Sequence, residues 1–369
     1  MSDGPRARIL HVVGARPNFM KIAPVLAACR RRPRLESILV HTGQHYDENM
    51  SRVMFEELGI PRPDVDLEVG SGTHARQTAR VMERFEPVLL ERKPDLVLVV
   101  GDVNSTLACS VTAAKLGIPV AHVEAGLRSF DRTMPEEINR IVTDALSDLL
   151  FVSEPSGLEN LKREGVPDAK IHFVGNVMID TLMAHREKAR QQPVLDRLEL
   201  SPGAYGVLTL HRPSNVDDPA SLRKILEPIV ELSRTIPVVF PVHPRSLPAI
   251  ARAGWSSADH PGMRLIEPLG YLEFLRLTMD ARIVLTDSGG IQEETTILDV
   301  PCVTIRDNTE RPITVTQGTN HMAGTTAEGI RKAIAEALAR VRGSTAPPPL
   351  WDGRAAERIA DVIATWAGM

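Results

Sequence analysis

The stretch LVLVVGDVNSTLACSVTAAKLGIPVAHVEAG, residues 96–126, decides the fold. Its two ends, Leu96–Val100 and Val120–Val123, are short β-branched runs that are apolar without alternation, as is typical of parallel strands covered on both faces. The residues between them follow a helical pattern. A strand, a helix and a second strand in this order predict one βαβ unit of an open, doubly wound parallel sheet.

The same rhythm continues on both sides of this unit. We predict further strands in the first half of the chain at Arg8–Val13, Ser37–Thr42, Leu149–Val152 and Ile171–Val174. Helical segments lie between them, and the predicted helix Pro135–Ser147 has two different faces. The apolar face carries Ile138, Ile141, Val142 and Ala145, and the polar face carries Glu136, Arg140 and Asp144.

A charged segment, Arg186–Pro202, interrupts the pattern, and we interpret it as the end of a helix followed by a linker. A second set of strands is predicted at Tyr205–Leu210, Val238–Phe240, Arg264–Ile266, Ile283–Thr286 and Val303–Ile305. A last helix carries an apolar stripe for packing, made of Ala355, Ile359, Val362, Ile363 and Trp366. We therefore predict Rossmann-like α/β domains at residues 1–185 and 186–350, and a C-terminal helix at 351–369.

Composition excludes several classes of protein. The chain has 369 residues, of which 43% are hydrophobic, and a net charge of −4, so we expect neither a nucleic-acid binder nor a membrane binder. No apolar run reaches the roughly 18 residues that span a bilayer. The N-terminus does not resemble a signal peptide, so a cytoplasmic location is expected. Cys29, Cys109 and Cys302 have apolar neighbours, which indicates buried free thiols rather than metal ligands.

Ligands of open α/β sheets bind beyond the carboxyl ends of the strands, so the residues at those ends are the functional candidates. The first strand runs into GARPNFMK, residues 14–21, which contains neither the G-x-G-x-x-G of dinucleotide sites nor a Walker A loop. Arg16 and Lys21 stand near a glycine turn and a helix start, where they suit a phosphate group. Solvated cations at an ordinary turn are the alternative.

Three carboxylates are predicted at the carboxyl edge of the first sheet. Asp102 follows one strand, Glu124 closes the next, and Glu136 opens the helix that carries Arg140. By itself, Asp102 is more typical of a helix N-cap, and Glu136 with Arg140 matches a surface pair four residues apart. Several carboxylates crowded into one cleft, however, can set one pKa high enough for acid–base catalysis. That role is our hypothesis for them.

The second half places different groups at its strand ends. His211 and His243 each stand near an arginine, and neither has the H-E-x-x-H spacing or the cysteine partner of a zinc site, so we predict anion contact and no metal. The run DSGGIQEE, residues 287–294, places small residues at a helix N-terminus, where exposed backbone N–H groups favour anion binding. Ser288 is not in a G-x-S-x-G elbow, which excludes a hydrolase nucleophile.

Two further observations complete the second half. Glu294 is one turn into its helix, from where it can reach sugar hydroxyls, and Arg306 and Arg311 add cations at the end of a later strand. The second domain is therefore predicted to hold a diphosphate and a ribose. The first domain offers carboxylates and cations to whatever is attached to them.

These motifs together resemble the non-hydrolysing UDP-N-acetylglucosamine 2-epimerases. The resemblance runs from about Ile9 to about Gly324 and is most specific in HVEAGLRSFDRTMPEEINR, residues 122–140, and in DSGGIQEE…RDNTERP, residues 287–312. It implies the GT-B architecture, with the active site in the cleft between two domains and a C-terminal helix crossing back to the first. It also implies elimination of UDP from C1 with removal of the C2 proton, re-addition through a 2-acetamidoglucal, and no cofactor.

The resemblance also assigns roles to individual residues. Asp102, Glu124 and Glu136 are the candidate acid–base carboxylates, and His211 assists the departing diphosphate. The other candidate substrate contacts are Arg16, Lys21, Arg140, His243, Phe274, Ser288, Gly289, Gly290, Glu294 and Arg311. Within this set, the resemblance gives Ser288 and Gly289 to the phosphates and Glu294 to the ribose. Phe274 is expected near the uracil pocket.

Bacterial relatives often bind a second UDP-N-acetylglucosamine molecule as an activator. The residues that match this second site are Gln44, Arg76, Arg212 and His243. Asp47 stands where the pattern of the second site has a glutamine, and Asn18 replaces a glutamate common in the first loop. This variant pattern also resembles relatives that epimerise other UDP-2-acetamido sugars, including 2,3-diacetamido uronic acids. A homodimer is expected because relatives are commonly dimers.

Three other functions share parts of this pattern. A GT-B glycosyltransferase has the same fold and a UDP site but predicts an acceptor cleft, and the three carboxylates favour the epimerase. A catalytically silent UDP-sugar-binding regulator is the second, and the intact acid–base positions argue against it. A hydrolysing epimerase is often fused to a kinase, and no kinase motif follows here.

Overall fold

The chain divides into two compact units. The computed structural model describes residues 6–43, 54–242, 247–253, 260–343 and 346–368, with Arg16 and Pro213 described by their backbone alone. Unit 1 comprises Met1–Ala184 and Pro349–Met369, and unit 2 comprises His185–Pro348. The boundary between Ala184 and His185 falls inside one helix, Val177–Arg190.

Unit 1 contains a seven-stranded sheet whose pairings are all parallel. Its strands are β1 (Ala7–Val13), β2 (Leu35–His41), β3 (Val65–Asp66), β4 (Leu96–Val100), β5 (Val120–Ala125), β6 (Leu149–Val152) and β7 (Ile171–Phe173). Their spatial order is β3-β2-β1-β4-β5-β6-β7. Strand β4 is buried at every position, which explains why its sequence is apolar without alternation.

The helices of unit 1 follow its strands in regular alternation. They are α1 (Arg16–Arg30), α2 (His74–Arg92), α3 (Asn104–Lys115), α4 (Pro135–Leu146), α5 (Pro155–Arg163), α6 (Val177–Arg190) and the C-terminal α15 (Ala355–Trp366). Proline stands in the first turn of α1, α4 and α5, where its missing N–H is not needed. The core forms between sheet and helices, with Val81, Phe85 and Leu89 of α2 packed on the strands at four-residue spacing.

Unit 2 contains a six-stranded parallel sheet in the order β10-β9-β8-β11-β12-β13. Its strands are β8 (Gly206–Thr209), β9 (Val238–Pro241), β10 (Met263–Ile266), β11 (Ile283–Thr286), β12 (Cys302–Thr304) and β13 (Asn320–Met322). Its helices are α7 (Val194–Arg197), α8 (Pro213–Val216), α9 (Pro219–Ser233), α10 (Leu247–Arg252), α11 (Tyr271–Met279), α12 (Gly289–Leu298), α13 (Ile313–Thr316) and α14 (Ala327–Ala339).

Each sheet has one point where the direction of winding reverses. In unit 1 this point lies between β1 and β4, and in unit 2 between β8 and β11. Ligands of open parallel sheets bind in the crevice at such a switch point, beyond the carboxyl ends of the strands. The candidates Arg16, Asp102, His211 and Ser288 all follow one of these four strands within three residues. These residues therefore lie at the carboxyl ends of the strands, where the sequence predicted the functional candidates.

The C-terminal helix α15 belongs to unit 1. Asp180 of α6 caps its first turn by accepting hydrogen bonds from the backbone N–H groups of Ala355 and Ala356, at 3.1 and 2.7 Å. Burial raises the pKa of Asp180 to about 6, although these two donors lower it. Arg32, two residues after the end of α1, forms ion pairs with Glu357 at 2.7 Å and Asp361 at 2.5 Å of this helix. These contacts fix α15 against α1 and α6.

The predicted fold class is confirmed, since the chain folds into two Rossmann-like parallel sheets with a last helix that returns to the first. Every predicted strand is present, with bounds shifted by at most two residues, and among the strands of the described residues the short β3 and β13 were not predicted. The linker prediction was wrong in part, because Val194 and Leu195 of α7 are buried in the core of unit 2. Trp366, expected in the packed stripe of α15, is exposed.

Candidate active site

Glu124, the residue before the last of β5, has an unusual backbone conformation. Its φ is +73°, in the left-handed region that non-glycine residues seldom adopt, and the pairing of β5 with β6 shifts its register between Val123 and Ala125. This bulge turns the Glu124 side chain away from the alternation of the strand. Its carboxylate is buried and forms an ion pair with the ammonium group of Lys21, which is also buried. A strained backbone that holds a buried charge is typical of a functional position.

Lys21 reaches this carboxylate because β4 ends in a glycine. Gly101 has a φ of +66°, and a Cβ atom there would lie 2.9 Å from Nζ of Lys21. Asn18 fixes the start of α1 nearby: its Oδ1 accepts from the backbone of Ala15 at 3.1 Å, and its Nδ2 donates to the carbonyl of Val100 at 2.7 Å. Asn18, which departs from the family pattern, is therefore part of the scaffold that positions Lys21.

Asp102, next to that glycine, is held by Arg140 of α4. One guanidinium nitrogen of Arg140 donates to the Asp102 carboxylate at 2.5 Å, and two others donate to Glu137 at 3.0 and 2.6 Å. Glu137 also accepts from the backbone N–H groups of Ser129 and Phe130, both at 2.9 Å. Burial alone would raise the pKa of Glu137, but the hydrogen bonds from Ser129 and Arg140 lower it below its ordinary value.

Glu136 differs from these carboxylates because it is not held by a cation. It lies half-buried in the first turn of α4, and among the residues that the structure describes we find no hydrogen bond or ion pair to its side chain. A carboxylate near a helix N-terminus is stabilised by the helix dipole. Glu136 is therefore the most available of the candidate carboxylates for contact with a ligand.

A buried charge network joins the ends of β4 and β5. His122 faces two acceptors, the Gly101 carbonyl at 2.9 Å and the Asp144 carboxylate at 2.6 Å. Asp144 also accepts from the backbone of Gly126 at 3.0 Å and pairs with Arg128 at 2.7 Å. Burial alone would raise the pKa of Asp144, but His122 and Arg128 outweigh it and lower the pKa. The network fixes the turns that follow both strands.

Helix α4 buries its polar face rather than its apolar one. Its buried residues are Glu137, Asn139, Arg140, Thr143 and Asp144, whereas Ile138 and Ala145 on the apolar face are exposed. Both faces were predicted, but Glu137, Asn139 and Asp144 were not predicted as site residues. The usable signal was the number of hydrogen-bonding side chains on one face, since an ordinary surface helix points such residues to solvent.

In unit 2, Asp287 organises the ends of β8 and β11. Its buried carboxylate accepts from the backbone N–H groups of His211 at 3.1 Å and Arg212 at 3.0 Å, and from Nδ2 of Asn215 at 3.1 Å. Nδ1 of His211 lies 2.7 Å from the same carboxylate. Burial alone would raise the pKa of Asp287, but His211 and these backbone donors lower it. Asp287 is the first residue of the DSGGIQEE run, but no role was predicted for it from the sequence.

This arrangement decides which nitrogen of His211 is available. Every group that faces Asp287 is a donor, so Nδ1 of His211 carries a proton and donates it to the carboxylate. The other ring nitrogen, Nε2, then points away from Asp287, and the side chain is 62% exposed. An oriented, exposed imidazole beside a strand end is suited to contact an anionic ligand.

The N-terminus of α12 lies beside the same strand end. Ser288 is its N-cap, and Gly289 and Gly290 form its first turn. A Cβ atom on Gly289 would lie 2.8 Å from Oε1 of Glu310 and 2.9 Å from Nη1 of Arg311, so a larger residue would displace these two side chains. Arg311 is buried and bound to Glu293 at 2.6 Å and Glu310 at 2.5 Å. The geometry thus combines exposed helix N–H groups with a positioned guanidinium, which favours an anion.

Glu294 lies one turn further along α12 and is buried. Burial raises its pKa to about 8, with a lowering contribution from the Tyr271 hydroxyl and a raising one from Glu293. Phe274 of α11 is partly buried and packs, like Ile291 of α12, against a core cluster of unit 2. Glu294 therefore lies in the helix that follows β11, and Phe274 lies in the helix that precedes it.

The structure shows fewer contacts for the remaining candidate site residues. Gln44 and His243 lie outside the described residues, and the side chain of Arg16 is not described. Arg76 is exposed in the first turn of α2, and Arg212 donates from Nε to the carbonyl of Asp287 at 3.1 Å. In the described ranges no three His, Cys, Asp or Glu side chains are grouped as metal ligands. Likewise, none of the helices described combines the length and apolar content needed to cross a bilayer.

Comparison with known proteins agrees with this geometry. A model of the family described as UDP-N-acetylglucosamine 2-epimerase matches residues 27–364. The Methanocaldococcus jannaschii UDP-N-acetylglucosamine 2-epimerase is 42% identical over 359 residues, 95% of this chain and 97% of that protein. A crystal structure of the enzyme from M. jannaschii, in complex with UDP-GlcNAc and UDP, matches with a TM-score of 0.90 at 41% identity, over 97% of this chain and 99% of that one.

A second relative carries a different substrate name. The Pseudomonas aeruginosa protein named UDP-2,3-diacetamido-2,3-dideoxy-D-glucuronate 2-epimerase is 43% identical over 363 residues, 97% of this chain and 99% of that protein. Relatives with 42% and 43% identity to this chain are therefore named for two different UDP-sugars. The reaction type is common to both names, whereas the sugar is not.

Proposed function

The chain belongs to the UDP-N-acetylglucosamine 2-epimerase family, and on this premise we propose that it interconverts UDP-N-acetylglucosamine and UDP-N-acetylmannosamine by inversion at C2. The observation that carries the proposal is the pair of carboxylates at adjacent strand ends. Glu124 is paired with Lys21 and Asp102 with Arg140, and the backbone N–H of Gly101 donates to the carbonyl of Val123 between them at 3.1 Å.

The proposed chemistry needs an acid and a base on opposite sides of one carbon. A carboxylate removes the proton from C2, the electrons of the C–H bond form the C1–C2 double bond, and those of the C1–O bond leave with UDP. The 2-acetamidoglucal then takes UDP back at C1 and a proton on the other face of C2. We assign these proton transfers to Asp102, Glu124 and Glu136, because positioned carboxylates are suitable general acids and bases.

In the proposal, unit 2 holds the leaving group. The backbone N–H groups of Gly289 and Gly290 and the hydroxyl of Ser288 bind the diphosphate together with Arg311, whereas the N–H of Ser288 donates to the Thr286 hydroxyl at 2.9 Å. With both ring nitrogens protonated, His211 donates from Nδ1 to Asp287 and from Nε2 to a phosphate oxygen as negative charge develops there. Glu294 accepts hydrogen bonds from the ribose, and Phe274 packs beside the uracil.

A second substrate has one observation in its favour. The relative named for a 2,3-diacetamido uronic acid is as similar to this chain as the relatives named for UDP-N-acetylglucosamine. Epimerisation of that UDP-sugar is therefore the second candidate function. A homodimer, a role in polysaccharide biosynthesis and activation by a second UDP-N-acetylglucosamine stay predictions from the family resemblance. A cytoplasmic location stays a prediction from the N-terminal sequence and the lack of a long apolar run.

Deuterium incorporation tests the proposed function. The purified protein is incubated with UDP-N-acetylglucosamine in deuterated water, and proton NMR follows the C2 position. We expect UDP-N-acetylmannosamine and recovered substrate to carry deuterium at C2, because the proton added back comes from solvent. Protonated, unchanged substrate would exclude this sugar, and deuterium in the diacetamido uronic acid analogue alone would establish the second candidate.

The raised pKa of Glu294 predicts how UDP binding depends on pH. If the carboxylate must be ionised to accept from the ribose, a pKa of about 8 leaves only a small ionised fraction at pH 7. The affinity for UDP should therefore increase about eightfold between pH 7 and pH 8.5. Isothermal titration calorimetry at both pH values measures this change.

The Glu294→Gln variant provides the control. It should bind UDP more weakly and lose the pH dependence. A raised carboxyl pKa penalises folding only above the unfolded value of 4.5, and the penalty grows until the folded value of about 8. The ligand-free variant should thus have a higher unfolding free energy than the wild type at pH 8.5. Wild-type UDP affinity that does not change with pH would contradict the ribose role.

A further inference from the structure

Phe130, in the loop between β5 and α4, has two features that are each unfavourable. Its side chain is 70% exposed, and its φ of +58° lies in the left-handed region that bulky residues rarely adopt. Glycine or asparagine would adopt this left-handed conformation at a lower energetic cost. Strained residues of this kind persist where the strain belongs to a functional site.

The strained turn is held by the carboxylate that also binds Arg140. Glu137 accepts from the backbone N–H of Phe130 through Oε1 at 2.9 Å, and binds Arg140 through Oε2 at 2.6 Å. Arg140 in turn binds Asp102 at 2.5 Å. The backbone of Phe130 is thus connected to a candidate acid–base residue through two buried side chains.

The loop is also closed by its own hydrogen bonds. Asp131 accepts from the backbone and the hydroxyl of Thr133 at 3.0 and 2.6 Å, and its backbone N–H donates to Ser129 at 3.3 Å. Because the turn is fixed on both sides of Phe130, the aromatic ring is presented to solvent from a determined backbone position. An exposed apolar side chain does not by itself indicate a functional residue. Leu90 is 59% exposed, but it lies on a regular helix and not in a turn held by side-chain hydrogen bonds.

The position of the loop indicates what the ring contacts. It joins β5, whose second-last residue is Glu124, to the helix whose first turn holds Glu136. These carboxylates are assigned to proton transfer at C2, and C2 is the carbon that carries the acetamido group. The acetamido methyl is the apolar substituent of such a sugar, whereas the hydroxyl and phosphate groups need polar partners. An aromatic ring beside placed polar groups is how sites recognise such a substituent.

We propose that Phe130 is a specificity-determining residue whose ring packs against the acetamido methyl of the substrate. This inference rests on the proposed function, since it takes the substrate to be a UDP-2-acetamido sugar. It explains why a strained and exposed phenylalanine stands in a loop that is otherwise satisfied.

The test compares three ligands in the Phe130→Asn variant. Asparagine tolerates the left-handed backbone, so the variant should melt no lower than the wild type. We expect the KM for UDP-N-acetylglucosamine to increase about tenfold, the effect of losing one aromatic contact. The inhibition constants of UDP and of UDP-glucose, which lacks the acetamido group, should change by less than about twofold.

Two further variants control the experiment. Phe130→Tyr keeps the ring and should retain the wild-type KM, and Leu90→Asn removes an exposed apolar side chain elsewhere in unit 1 and should have no effect. An unchanged KM in Phe130→Asn would overturn the inference, as would an equal weakening of UDP-glucose. If the wild type epimerises no UDP-sugar, calorimetry of UDP-N-acetylglucosamine against UDP-glucose still tests Phe130, so the two failures are distinguishable.

Discussion

The Asp102→Asn and Glu124→Gln variants are each expected to lose at least about a hundredfold in turnover, the usual scale for a positioned acid or base. Both changes keep the size of the side chain but remove its negative charge and its ability to exchange a proton. The amide oxygen at residue 102 still accepts from Arg140, and residue 124 stays in its strained turn. The loss should therefore appear in kcat, measured by NMR of the two epimers.

A matched control separates this effect from a general change of charge. Glu91→Gln makes the same substitution on an exposed carboxylate of α2 and should retain wild-type turnover. The melting temperatures of all three variants identify any loss caused by unfolding. Wild-type kcat in either catalytic variant would reduce that carboxylate to a helix cap or a structural partner.

The Lys21→Met variant is expected to lose both stability and turnover. The side chains of Lys21 and Glu124 are 7% and 3% exposed, so removal of the ammonium group leaves a buried carboxylate without this cation. Breaking a buried pair in this way typically costs about 3–5 kcal/mol of unfolding free energy. Turnover should fall as well, because Glu124 loses the group that positions it. Urea unfolding and the epimer assay measure the two effects.

The double variant Lys21→Met/Glu124→Gln tests the physical reason for this loss. It should recover much of the stability, because the charge is removed together with its partner, but no turnover. Lys162→Met, which breaks an exposed pair with Asp168 at 3.4 Å, should change the unfolding free energy by less than about 1 kcal/mol. If Lys21→Met were as stable as Lys162→Met, the ion pair would not be the support we infer.

The sequence predicted the sheets well because their strands are buried on both faces. A run such as Leu96–Val100 is apolar at each position, and a short run of this kind between turn residues is typical of a strand in a covered parallel sheet. The missed strands β3 and β13 are edge strands of two and three residues, and β13 contains Asn320 and His321. Runs this short that include polar residues leave no periodic signal, whereas the edge strands β7 and β10 were predicted from more apolar runs.

The candidate site was predictable where it depends on strand ends. Asp102 and Glu124 follow neighbouring parallel strands, so their proximity follows from topology. The pairing of Lys21 with Glu124 did not, because it joins residues 103 positions apart through the glycine that ends β4. The roles of Glu137, Asp144 and Asp287 were also not predicted from the sequence. Periodicity shows that α4 has two faces but does not show which one is buried.

The central claim is a division of labour, in which unit 2 binds UDP and the carboxylates of unit 1 act on the sugar. Its most direct test is the UDP dissociation constant of the triple variant Asp102→Asn/Glu124→Gln/Glu136→Gln, measured by isothermal titration calorimetry. We predict a value within about twofold of the wild type, with no detectable epimerisation. Loss of UDP affinity by tenfold or more in this variant would contradict the account.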